Sequence, residues 1–107
     1  MPTPLPGRRL RASKSGRPLM AALDLLGRRW ALRVLWELRD GALTFRALRQ
    51  RCDGISPSVL NVRLAELREA GLVTLVDGGY ALTAIGLSLG GALEPLQAWA
   101  KRWAAAH

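Results

Sequence analysis

GISPSVLNVRLAELREAGLV, residues Gly54 to Val73, decides how the rest of the chain is read. Ser56 is a good N-cap, Pro57 suits a first helical turn and Gly71 suits a C-terminal stop, so the segment predicts a helix over about 57 to 70. On its wheel Leu60, Leu64 and Leu67 align as a stripe for a core. Ser58, Asn61, Val62 and Ala65 point the other way, small and uncharged, and the acids Glu66 and Glu69 come only towards the far end. An ordinary solvated face mixes charges from its first turn. A face that keeps acid out of its N-terminal half suits an approach to phosphates.

Working backwards, TFRALRQRC fits a short helix with Phe45 and Leu48 inward and Arg46, Arg49 and Arg51 outward or flanking. ALTF before it is too brief for an independent strand but can pair with a later hairpin. In RRWALRVLWELRDG, apolar residues recur at Trp30, Val34, Leu35 and Leu38, the spacing of a helix buried along one stripe and ended by Gly41. Arg29, Arg33, Trp36 and Asp40 gather on its opposite side, where Trp36 either stacks on arginine or forms a contact surface. Pro18 to Gly27 predicts a further helix with Leu19, Leu23 and Leu26 on one side.

Working forwards, LVTLV alternates, DGG offers an Asp-Gly turn and YALT resumes, so residues 72 to 82 read as a tight hairpin. A last helix starts at the cap Thr83 and carries Ile85, Leu89, Leu93, Leu96, Trp99 or Ala100, and Trp103 along one stripe. Its Gly86, Gly90, Gly91 and Pro95 are poor helix formers, at roughly 1 kcal/mol for each Gly and up to about 3 for an interior Pro. Such a helix needs a partner, supplied either by a second subunit or by its own domain.

The chain has 107 residues, room for one domain with a modest core. Its formal net charge is +8, from 16 Lys and Arg against 8 Asp and Glu, and 14 of the bases are Arg. Five bases and no acid lie in residues 1 to 17, among several Pro and Gly, which reads as a flexible basic arm. The balance suits a polyanion, nucleic acid first and an acidic membrane surface second, against the plainer reading of charge for solubility. No apolar run is long enough to span a bilayer and no apolar block follows the basic start, so a cytoplasmic location is expected. One cysteine, Cys52, excludes an internal disulfide, and one histidine, His107, leaves no usual zinc set. Cys52 reads as a small buried hydrophobe, with a redox sensor as the sharper alternative. No nucleophile and base at motif spacing, phosphate loop or metal set is present, so enzymatic activity has the least support and no cofactor is expected.

Two short helices joined by a turn, then a hairpin, is the order of a winged helix-turn-helix, whose second helix enters the DNA major groove with its N-terminal residues at the base edges. PLMAALDLLGRRWALRVLWELRDG, LTFRALRQRCDGISPSVLNVRLAELREAGLV and YALTAIGLSL, with the Trp99 region, together resemble the HxlR-type bacterial transcriptional regulators over nearly all of residues 18 to 100. The resemblance implies a mainly α fold with a small β-hairpin: a DNA-binding core over residues 28 to 82, between dimerisation helices at 18 to 27 and 83 to 106. It also implies that Phe45 to Arg51 form the positioning helix, that Ser56, Ser58, Asn61, Val62 and Arg63 lie on or beside the reading helix, and that the hairpin is the wing.

The functional expectation is a homodimer acting on a palindromic operator in double-stranded DNA. Arg46, Arg49 and the arm would contact phosphates, and Ser58, Asn61 and Arg63 would contact bases or their neighbourhood. The alternative is a small-molecule binding module, with a small apolar effector held where Trp36, Trp99 and Trp103 line a pocket between subunits. The usual fate of Trp30, Trp99 and Trp103 is core or interface. Three departures from the family stand out. Arg17 occupies the place of a cysteine that the family often carries before the first helix, which excludes thiol sensing there. The wing, VDGGYAL, is shorter than usual, and Arg33 and Trp36 replace more ordinary helix residues.

Overall fold

The computed structural model describes residues 17–107 and, ahead of them, Thr3; the arm expected over residues 1 to 17 otherwise lies outside the described residues. The elements follow in the order α1 (Pro18–Leu26), α2 (Ala31–Glu37), α3 (Phe45–Arg51), α4 (Pro57–Glu69), β1 (Val73–Val76), β2 (Gly79–Leu82) and α5 (Ala84–Ala105).

Hydroxyl caps set where the helices begin. Thr44 accepts from the Ala47 amide at 3.0 Å to start α3, and Ser56 accepts from the Val59 amide at 3.2 Å to start α4. Each satisfies an amide that would otherwise lack an acceptor, a contribution of about 1 kcal/mol. Thr83 acts twice: its oxygen accepts from the Gly86 amide at 3.1 Å, and its hydroxyl donates to the Gly71 carbonyl at 2.6 Å. The end of α4 is thereby tied to the start of α5. At that end Gly71 takes φ 81°, and the amides of Leu72 and Gly71 return to the carbonyls of Leu67 and Arg68 at 2.9 and 3.0 Å. This pair of bonds closes a helix on a left-handed residue that favours glycine.

β1 and β2 pair antiparallel from Val73 opposite Leu82 to Val76 opposite Gly79, around Asp77 and Gly78. Leu43 and Tyr80 exchange both backbone bonds, at 3.0 and 2.8 Å, so the segment before α3 joins the hairpin as one bridge.

The core is the stripe expected of α4. Leu60, Leu64 and Leu67 pack with Val34, Leu35 and Leu38 of α2, with Leu48 and Cys52 at α3, and with Leu25, Ile55 and Val73. Cys52 is fully buried, which agrees with the hydrophobe reading; desolvation raises its thiol pKa, with Arg33 opposing and Glu37 assisting.

One element departs from the sequence reading. α2 begins at Ala31, and its N-cap Trp30 has φ 76°, among the described residues the one non-glycine in the left-handed region. A bulky residue there stores strain of about 1 to 3 kcal/mol. Trp30 packs only partly against the core instead of opening the buried stripe. α1 buries Ala21 and Leu25 and packs Leu26 against the core, while Leu19 and Leu23 are 68% and 55% exposed.

α5 runs unbroken through Pro95 for 22 residues. Leu89 and Leu93 of its stripe are half-covered, but Ile85, Leu96, Trp99 and Trp103 are all more than half exposed. The rest of the domain therefore covers this helix only in part, around Gly86, Leu89 and Leu93. Gly86 has a local reason beyond propensity: a Cβ there would lie 2.2 Å from the Leu72 carbonyl oxygen. Among the described residues no helix is long and apolar enough to cross a membrane.

Candidate nucleic-acid interface

The α3–α4 turn is short because Gly54 takes φ 93° and the Ile55 amide donates back to the Cys52 carbonyl at 3.0 Å. Buried Ile55 anchors the turn in the core. The start of α4 is thus set beside α3, and Arg46, Arg49 and Gln50 share one open groove with Asp53, Ser56 and Pro57. The first turn of α4 carries no acidic residue. Its free amides present partial positive charge, which favours an anion nearby.

The residues singled out in the sequence divide into two groups here. Ser58, Asn61, Val62 and Ala65 are all exposed along one side of α4, and Arg46 and Arg49 are exposed on α3. Arg49 is steadied by a long bond from Nε to the Ile55 carbonyl, at 3.4 Å. Ser56 is largely committed to the fold, as the cap, with its hydroxyl 3.4 Å from that of Ser58.

Arg63 belongs to the second group. Its Nε donates to the Arg29 carbonyl at 2.6 Å and its Nη1 to Glu66 at 2.9 Å, and Arg28 pairs with the other oxygen of Glu66. One of its donors is therefore spent on the segment before α2 and another on a carboxylate of its own helix. The i,i+3 spacing of Arg63 and Glu66 is a signal present in the sequence. The contacts to Arg28 and Arg29 span more than thirty residues and have no local signature.

On α2, Trp36 is exposed and the Arg39 guanidinium lies 3.8 Å from its ring centroid, so the stacking partner is Arg39 and not Arg29 or Arg33. Arg33 is occupied by Glu37 and the Arg51 carbonyl, each at 2.8 Å. Trp99 and Trp103 stack on each other along exposed α5, with centroids 5.9 Å apart and planes within 7°. The wing offers phosphates nothing electrostatic: the one charged residue from Val73 to Leu82 is Asp77, flanked by exposed Leu75 and Val76.

A capped helix, a glycine turn, a second helix with a clear outer side and a two-stranded hairpin define a winged helix-turn-helix, the architecture of many DNA-binding regulators. Residues 25–107 match the family model described as HxlR-like helix-turn-helix. The chain belongs to that family, and with it to the transcriptional regulators that carry a helix-turn-helix DNA-binding domain. It is similar to YvaP of Bacillus subtilis, an uncharacterized HTH-type transcriptional regulator, at 32% identity over 77% of this chain and 82% of that one. It is likewise similar to the HTH-type transcriptional regulator YodB of the same organism, at 32% identity over 78% of this chain and 80% of YodB. A quinone-bound crystal structure of YodB superposes with a TM-score of 0.76, covering 78% of this chain and 96% of that one at 32% identity.

Proposed function

We propose that the chain acts as a homodimer that reads a two-fold symmetric operator with the N-terminal half of α4. The observation that carries this reading is the outer side of that helix: Ser58, Asn61 and Val62 are exposed and uncharged on a helix whose first turn holds no acid, and Arg46 and Arg49 of α3 line the groove at its start, together with Asp53. In this arrangement the arginines contact phosphates and fix register, and Ser58 and Asn61 contact base edges. Arg63, tied by Nε to Arg29 and by Nη1 to Glu66, braces α4 and reaches DNA only through the donors left on its Nη atoms.

Dimerisation is supported by the apolar surface that the subunit leaves uncovered on α1 and α5, at Leu19, Leu23, Trp99 and Trp103 above all. An exposed pair of stacked tryptophans is a costly surface in water and a common anchor of an interface. The test is selection of bound sequences from random DNA at fixed, near-physiological salt. A palindrome with half-sites about one helical turn apart, roughly 10 bp, is the expected winner. Enrichment of a single asymmetric site, or of none, would overturn the reading.

Response to an effector is part of the same proposal, supported by the quinone-bound structure of YodB. Here the route is non-covalent, since Arg17 stands before α1 and Cys52 is buried with a raised thiol pKa.

A further inference from the structure

Between α2 and the middle of α5 lies a concavity of about 350 Å³, walled by Leu35, Trp36, Leu93 and Leu96. That volume falls in the range of small-molecule sites, which are mostly apolar with a few polar groups to orient the ligand. Two polar side chains, Arg39 and Gln97, are in its lining.

Gly86 and Gly90, one helical turn apart on α5, also line it. Gly86 is required by its close approach to Leu72, but a Cβ on Gly90 would meet nothing within 4 Å. Glycine in a helix interior is unfavourable relative to alanine, and packing within the subunit gives no reason for it at position 90. What its missing side chain leaves open is the hollow itself.

The polar wall is set up for an anion. The Arg39 guanidinium is stacked on Trp36, and its Nη1 donates to the Trp36 carbonyl at 2.9 Å, which fixes the plane of the group. Its Nη2 has only a long ion pair with Asp40, 3.7 Å, whose carboxylate is largely in water. Such a pair is weak and readily displaced. A carboxylate can take its place with planar, charge-assisted hydrogen bonds, which guanidinium geometry favours.

The geometry points to a ligand site between α2 and α5 for a compact aromatic carboxylate of one or two rings, its ring against the leucines and Trp36 and its carboxylate on Arg39. A second copy of the chain is a poorer occupant. At about 100° per residue, Trp99 and Trp103 continue the side of α5 that carries Ile85 and Ala92, which line a second hollow, against α1, that shares Leu89 with the first. The concavity next to α2 centres on Gly86, Gly90, Leu93 and Gln97, about a quarter-turn from that side, with Leu89 and Leu96 on the border between the two.

Such a ligand is the input that the regulator reading calls for, and the inference rests on that reading only for its regulatory consequence. Binding itself is measured on the full chain without DNA, by calorimetric titration with 1-naphthoate and with its uncharged methyl ester. One naphthoate per subunit is expected. Arg39→Gln should weaken naphthoate by about tenfold or more and leave the ester little changed, as loss of a charged hydrogen bond implies. Gly90→Leu places a strong helix former in open space and should abolish binding of both, with its melting curve and sedimentation mass as controls. Failure of the wild-type chain to bind naphthoate at millimolar concentration, or equal binding by wild type and Arg39→Gln, overturns the inference. Dissociation of the oligomer by Gly90→Leu also overturns it, because a second copy would then be the occupant. DNA binding by the ligand-free chain, measured in parallel, separates the two readings: if it persists without naphthoate binding, the operator reading stands and this site falls.

Discussion

Arg63 Nη1 lies 2.9 Å from the carboxylate of Glu66, one turn on along α4, and this pairing turns an arginine of that helix back towards the body of the protein. Arg28 holds the second oxygen of the same carboxylate, and both Glu66 and its partners are mostly shielded from water. The helix that offers its first half to solvent is therefore gripped by its second half. Orientation of the exposed side chains is set by groups that do not themselves face outward.

Replacement of Glu66 tests this grip. Glu66→Gln leaves two part-buried guanidinium groups with a neutral partner, and a loss of about 1 to 3 kcal/mol is expected. It would appear as a lower urea midpoint with an unchanged slope. The released Arg63 should also strengthen binding to random DNA and steepen its salt dependence.

Asn61 and Arg49 are expected to fail in different ways. Asn61→Ala should narrow the gap between operator and random DNA by about 1 to 3 kcal/mol, the worth of a good base contact. Arg49→Ala should weaken both alike and reduce the salt slope by about one unit. Competition titrations at several salt concentrations distinguish them, and an equal loss on both DNAs for Asn61→Ala would remove it from the base-reading set.

The tryptophan pair of α5 is expected to hold two subunits together. Trp99→Glu with Trp103→Glu puts charge where an apolar contact is needed and should raise the dimer dissociation constant by at least about a hundredfold, the scale of a lost hot spot. Sedimentation velocity across a dilution series reads it. Since both residues are exposed in the subunit, the fold itself should survive.

Cys52 gives a pH prediction with a definite sign. Burial raises its thiol pKa in the folded chain above the unfolded value, so the folded state holds the proton more tightly. That contribution to stability is fully present below the ordinary thiol pKa of about 8.5 and is lost as pH rises beyond it. The urea midpoint should fall above that pH in wild type and fall less in Cys52→Ala. Alkylation by iodoacetamide at neutral pH should be slow until denaturant is added.

Much of this architecture is local in origin and was legible residue by residue. Ser56, Thr83 and Gly71 set helix ends through bonds to amides and carbonyls only a few positions away in the chain. Leu60, Leu64 and Leu67 declare a buried stripe through 3.6-residue periodicity, and the same periodicity assigns Ser58, Asn61 and Val62 to the outside. A period reports which residues share a side. It does not report whether that side is covered, which is why the leucines of α1 and the tryptophans of α5 could be aligned from sequence and not assigned as exposed. That outcome was decided by tertiary packing, as were the left-handed Trp30, the bracing of Arg63 by Arg29 and Glu66, and the stacking of Arg39 on Trp36 beside an open hollow. The physical reason is range. Caps and helical stripes act over three or four residues, whereas the Arg29–Arg63 contact depends on where two distant segments come to rest, a result no spacing in the chain encodes.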